Sequence, residues 1–380
     1  MLDKNATHSN IKDFLEYSEL VQRLIERGMI VHDRDFCEKK LAQIGYYRLS
    51  GYWKNSRIYS IEDHIVKYQE NFQPNTSFDE ILKLYIFDKH LRHEFMNAIE
   101  QIEIFIRSII AHEMGRINPL AYEDKSLFSN NAFDINRKGP NLKEWFKRHH
   151  RLLFESKEEC IKHHFQHDKP IPIWVATEAW DFGLLSKYYS MLKDNYRDLI
   201  CDRINVSNRD VLDNWLININ GLRNRCAHHS RFFNRSNPRS FKTLRNGYFH
   251  FLNLSQHECN KLVGAIAVIG YLLKQTESNG QWLDNIANII DNKPSIISSH
   301  YRLMGFSKGT IQFPRERFKV NINKKMEYLK ANSPSIFEHS HAIHQIEKLN
   351  GINSLNVTLS YSDRLLNLAE HYENHHAHEK

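Results

Sequence analysis

The sequence predicts an all-α protein, a helical bundle with additional N- and C-terminal helices. Three observations carry this. Gly (14) and Pro (9) are about half as frequent among the 380 residues as in an average protein, too scarce for an architecture that turns every dozen residues. Apolar residues recur at helical spacing over long stretches, above all from Phe78 to Ile109. Capping signals, Ser77-x-x-Glu80 and Ser207-x-x-Asp210, stand ahead of two of those stretches.

Taken in order, residues 1–73 read as an N-terminal helical and aromatic segment packing on the core. SELVQRLIERG forms its first helix, with Ser18 able to cap and Gly28 able to terminate it, and Asp33 opens a second. GYYRLSGYW (Gly45 to Trp53) carries four aromatics and two glycines, which favour neither helix nor strand. It reads as an aromatic plug in preference to a base-stacking surface. Residues 74–275 form the helical core. Its clearest helix starts at Ser77 and extends to about His112, with Asp88 and Arg92, and Glu103 and Arg107, as acid-to-base pairs four residues apart. Glu100, Glu103 and Arg107 make a polar stripe on that apolar rod. About residues 115–172 read as an insertion around one basic helix, NLKEWFKRHHRLLF. Helix resumes at Ile173, and again after Ser207 with the apolar face Leu212, Trp215, Leu216, Ile219 and Leu222. Phe249 to Leu273 is a further core helix in which GAIAVIG permits close packing. Residues 276–380 form a C-terminal extension ending in an expected mobile tail.

The composition, 41% hydrophobic and 26% charged, is that of a folded soluble chain and excludes low-complexity polymers. Lys and Arg outnumber Asp and Glu by 52 to 45, so polyanions are more plausible partners than cations. The five cysteines are odd in number and form no Cys-x-x-Cys, which argues against a disulfide framework or cysteine-zinc site and suits a reducing cytoplasm. No apolar leader opens MLDKNATHSNIKDF, and the run Leu262 to Leu273 is too short to span a bilayer, so neither export nor a membrane partner is expected.

Residues 221–245, GLRNRCAHHSRFFNRSNPRSFKTLR, hold seven Lys or Arg and no Asp or Glu. An anion belongs here. Histidine can exchange a proton near neutral pH and arginine offers a permanently charged fork for phosphate oxygens. If the helix begun near Ser207 continues through Ser230, about 100° per residue places Asn224, His228 and Arg231 on one stripe, with Arg223 beside it across Ala227. Arg223 is aligned with Leu212 and Ile219, so its charge starts from the edge of a buried face and calls for an acidic partner or an anionic ligand. The stripe Glu100, Glu103, Arg107 is a candidate for that compensation.

In GYYRLSGYW, in LYIFDKHLRHEFMNAIEQIEIFIRS (Leu84 to Ser108) and above all in LRNRCAHHSRFFNR (Leu222 to Arg235), the sequence resembles abortive-infection proteins of the AbiD and AbiF type. Their core belongs to the HEPN superfamily of helical ribonucleases. The likeness spans about residues 15 to 310, with a shorter echo in YRLMGF at Tyr301 to Phe306. The HEPN signature, an Arg followed by a polar residue and then a His, stands here as Arg223-Asn224-Arg225-Cys226-Ala227-His228.

The resemblance implies a metal-independent endoribonuclease of phage defence, toxin-like, restrained by an antitoxin or other inhibitory partner and needing no cofactor. His228 would move the proton of the attacking 2′-OH or of the departing 5′-oxygen, Arg223 would hold the phosphate, and Asn224 would position either. Arg225, His229, Arg231 and Arg235 would hold RNA. One motif per chain implies half a site, completed in a homodimer. The alternative is a noncatalytic protein that binds a structured small noncoding RNA. Arg107 to His112 repeats the bare Arg-x4-His spacing without the Asn or the basic surroundings, and reads as structural. His163-His164-x-x-His167 reads as a chance cluster among 23 histidines, and no glycine-rich phosphate loop occurs.

Overall fold

The computed structural model describes residues 12–318 apart from 64, 137–138, 246 and 277–279. The expected mobile tail and the terminal histidines lie outside the described residues. The fold is mainly helical, as the glycine and proline scarcity predicts, with one two-stranded sheet among the described residues. Two compact units emerge, one ending at Leu91 and taking in Ile289–His300, the other running Arg92–Asn288 and resuming at Tyr301.

The first unit opens with α1 (Tyr17–Glu26), α2 (Arg34–Ile44) and α3 (Tyr46–Trp53). Ser18 does not cap α1: the helix starts one residue earlier, and the Glu16 backbone N–H donates to the Glu19 carboxylate (2.7 Å). Gly28 follows the helix at φ +88° and Asp33 caps α2 by accepting from the Phe36 N–H, both as predicted. The aromatic segment is helical, because Gly45 at φ +93° breaks the chain from α2 and lets α3 start afresh. Tyr52 and Trp53 are buried as the plug reading requires, with the Tyr52 hydroxyl donating to Asp88 (2.7 Å), while Tyr47 is exposed. An antiparallel hairpin follows, β1 (Arg57–Glu62) and β2 (Ile65–Phe72), where only short helices were expected. Its Ile, Val and Tyr content suits strands, and Asp63 supplies a left-handed turn residue at φ +49°.

Helix α4 (Phe78–Ile117) begins in the first unit and continues into the second, five residues beyond the expected His112, with the Ser77 hydroxyl accepting from the Glu80 N–H (3.2 Å). In the second unit α5 (Leu142–Glu155) and α6 (Glu159–Gln166) lie in the stretch read as an insertion. The predicted helix from Ile173 is broken into α7 (Ile173–Ala176), a 3-10 turn and α8 (Phe182–Met191), because the Asp181 side chain caps a new start by accepting from the Leu184 N–H. There follow α9 (Asp194–Ile204) and α10 (Arg209–Ala227); Asn208, not Ser207, caps α10 by accepting from Asp210 and Val211. The apolar run expected as one helix is divided into α11 (Gly247–Leu252), α12 (Gln256–Cys259) and α13 (Leu262–Gln275), since Ser255 and Glu258 form a capping box. Gly264 meets the predicted close packing: a Cβ there would lie 2.8 Å from the Cys259 backbone. The described chain ends with α14 (Gln281–Asp291) and α15 (Arg315–Phe318). Among the described residues no helix is long and apolar enough to cross a membrane.

Within the stretch read as an insertion, α5 contributes to a buried aromatic cluster. His149 stacks on Trp145 (4.9 Å between ring centroids) and its Nδ1 accepts from Trp180 Nε1 (2.9 Å), so the neutral imidazole carries its proton on Nε2. Burial, and then the neighbouring His150, push the His149 imidazole down to about 3 from its usual 6.5. The unfolded chain takes this proton near pH 6.5 and the folded one only near 3, so the stability from the neutral ring is present above 6.5 and lost as pH falls toward 3. The urea midpoint of the wild type should fall across that window, and His149→Asn, which keeps a neutral acceptor, should flatten the fall. Equal slopes in the two proteins would contradict the assignment.

Candidate functional site

The site is built on α10, whose buried face carries two asparagines among its apolar residues. Asn218 is fully buried, and its Oδ1 accepts from the Arg239 N–H (2.9 Å). Asn214 accepts from the Lys242 N–H (2.8 Å) and donates to the Ser240 carbonyl (3.1 Å), while Trp215 Nε1 donates to the Lys242 carbonyl (2.7 Å). A helix otherwise made for burial thus holds the backbone of the basic loop 231–245 along its side. Asn237 adds bonds from its amide to the Cys259 and Lys261 carbonyls (3.1 and 2.8 Å). These asparagines were passed over in the sequence, although polar residues at i and i+4 on an apolar face signal a buried partner.

α10 does not continue through Ser230. It stops at Ala227, with His228 as its cap, and the His229 N–H donates to Cys226 (3.1 Å) and the Ser230 N–H to Arg225 (2.9 Å). That pairing is a Schellman turn, and its left-handed position is filled by His229 at φ +54° where glycine is usual. An L-residue there costs about 1–2 kcal/mol, so the turn beside the motif is held under strain. The consequence corrects the predicted stripe. Arg223, Asn224 and His228 remain on the last turns of α10, but Arg231 lies beyond the reversal and shares no helical face with them. Asn224 and His228 are exposed, one turn apart, and the His228 N–H donates to the Asn224 carbonyl (2.9 Å). The segment after the turn is anchored by Phe232, buried against Phe95 of α4 (4.7 Å between centroids), and by Arg92, which reaches the Ser230 carbonyl (3.5 Å).

Arg223 is half-buried and shares a cleft of about 330 Å³ with Glu100, Glu103 and Arg107 of α4. The polar stripe expected to compensate Arg223 therefore faces it. Arg107 donates to Glu103 (2.9 Å) and to the Trp180 carbonyl (3.0 Å). Burial raises the Glu103 carboxyl above its usual range, against the opposing pull of Arg107 and Arg223, and Asp181 and Glu100 add to the rise. Arg225 lies half-buried near Arg235; burial and then that like charge lower its guanidinium below the usual value. His229 and Arg235 are exposed at the turn and in the loop, and Arg231 is half-buried. His164 and His167 direct their Nδ1 atoms at the carbonyls of Cys160 (2.7 Å) and His163 (2.8 Å), and no group placed to hold a metal occurs among the described residues.

One glycine decides how closely the basic loop approaches. A Cβ on Gly221 would stand 2.3 Å from Cγ of Pro238, a ring that cannot swing away. Alanine would gain about 1 kcal/mol in helix propensity but overpacking costs about 1–3 kcal/mol, and the rigid neighbour puts Gly221 at the upper end. Gly221→Ala should therefore lower the urea midpoint and loosen loop 231–245, seen as faster proteolysis there. An unchanged or raised midpoint would contradict this.

The model of the Abi-like protein family matches residues 39–234, which take in the aromatic helix α3, the whole of α4 and the motif at the end of α10. No curated protein and no solved structure matches the chain. The match covers more than half of the 380 residues and includes the elements that frame the cleft, and the chain belongs to the Abi-like protein family.

Proposed function

We propose that this protein is a metal-independent endoribonuclease with a HEPN-type core, acting as the toxic effector of an abortive-infection phage defence and restrained in uninfected cells by an inhibitory partner. The observation that carries the reading is the exposed pair Asn224 and His228 on the last turn of α10, with Arg223 alongside, at the foot of an acid-free basic loop. The ribose 2′-oxygen forms a bond to phosphorus as the bond to the 5′-oxygen breaks, leaving a 2′,3′-cyclic phosphate and a 5′-hydroxyl. Imidazole is suited to accept the first proton and, in its charged form, to return one to the leaving oxygen. Arg223 offsets the charge that grows on the phosphate, and Asn224 orients phosphate or guanidinium. Two copies in a homodimer would supply one histidine for each proton transfer. Arg225, Arg231, His229 and Arg235 hold the strand.

The juxtaposition of Arg225 and Arg235 also favours a second reading, retention of a structured small RNA without cleavage. Total RNA incubated with wild type, Arg223→Ala and His228→Ala in excess EDTA separates the two. The expected result is cutting by the wild type with cyclic phosphate ends, slowed about 10²–10⁴-fold by His228→Ala, with circular dichroism unchanged. Cleavage that survives His228→Ala would overturn the assignment, and bound but uncut RNA would establish the second reading.

A further inference from the structure

We infer that a second cleft of the Arg92–Asn288 unit binds a nucleotide, its base stacked on Trp174 and its phosphate among Arg107, His112 and Arg116. The cleft has a volume of about 720 Å³, within the range of small-molecule sites, and is lined by these residues together with Thr177 and Glu178.

Four observations converge. Trp174 is 50% exposed, yet its ring lies against Gly115 of α4, where a Cβ would stand 3.0 Å from the indole Cε3. The missing side chain gives the indole a fixed seat, while the rest of its surface lines the cleft. Thr177 is 0% exposed, and its hydroxyl has no hydrogen-bond partner among the described residues. A buried hydroxyl left unpaired is destabilising, and a base whose entry draws the cleft wall at Thr177 open would offer it a donor or acceptor. The cations are organised by one buried carboxylate: Glu113 meets His112 Nδ1 (3.1 Å), Arg116 (3.4 Å) and Arg203 (3.1 Å), so that a single acid fixes two guanidiniums and an imidazole at this end of the unit. Arg107 adds a buried Nε without a partner. Glu178, exposed at the same cleft, offers a carboxylate to the N–H groups of a base edge. A flat apolar surface, an unpaired hydroxyl, a hydrogen-bond acceptor and clustered cations are what a base and its phosphate require.

The nucleotide has two possible sources. Ile104 and Arg107 line both this cleft and the one that holds Arg223, so a residue of an RNA strand crossing the ribonuclease site could enter it, a source that rests on the proposed function. A free nucleotide does not depend on that reading. The test uses the full chain carrying His228→Ala, so that no turnover intrudes. Calorimetry measures binding of each of the four ribonucleoside 5′-monophosphates and of a single-stranded RNA hexamer. Trp174→Ala and Thr177→Val should each weaken binding at least tenfold, and Thr177→Val should melt no lower than its parent because only an unpaired hydroxyl is removed. Saturation by a monophosphate assigns a free nucleotide, and binding of the hexamer alone assigns the strand. Binding of neither, or binding that both substitutions leave unchanged, would overturn the proposal.

Discussion

A guanidinium that starts from the edge of a buried helix face must be met by opposite charge or by an anion, and that constraint ties α4 to the end of α10. Arg223 meets Glu100 and Glu103 across a small cleft, while Arg107 already draws on Glu103. With two guanidiniums at one half-buried carboxylate, Arg223 is compensated only in part. Full pairing would give a structural ion pair with nothing to offer a ligand; an absent acid would expel the arginine into water. The long apolar face of α4 serves this end by holding the acidic stripe at a fixed place along a rigid rod.

The same economy governs the basic loop. Five positive side chains in residues 231–245 repel one another and would not stay folded against a helix by apolar contact alone, so the loop is held by its backbone. Asn214, Asn218 and Trp215 take up its N–H and carbonyl groups, Gly221 admits Pro238, and the cationic side chains are left for solvent or ligand. The strained His229 turn belongs to this arrangement, because it ends α10 at Ala227 and sends the chain toward Phe95 of α4.

Much of this was legible in the sequence because it is local. The cap at Ser77, the apolar spacing of α4 and α10 and the pair Glu103–Arg107 depend on residues within one or two turns of each other. The place of Arg223 opposite the polar stripe followed from the cost of burying charge, a rule that needs no alignment. Errors arose where neighbours compete: Glu19 serves the Glu16 N–H, so the nearby Ser18 caps nothing, and Asp181 restarts a helix within a run of helical residues. The hairpin is not legible because the Ile and Tyr residues of its strands are exposed, without the alternation a half-buried strand displays. The approach of Arg235 to Arg225, the seat of Trp174 on Gly115 and the orphan hydroxyl of Thr177 are tertiary facts that no spacing encodes. That the motif cuts RNA, and does so as a pair of copies, rests on the resemblance and on the chemistry of its side chains.

The central claim is that Arg223 and His228 serve one reacting phosphate. The most direct test compares single-turnover cleavage rates of the wild type, Arg223→Ala, His228→Ala and the double variant. Residues that act as a unit lose their effect together, so the double variant should be no slower than the slower single variant. Rate losses that multiply in the double variant would show that the two side chains act independently, and would contradict the account.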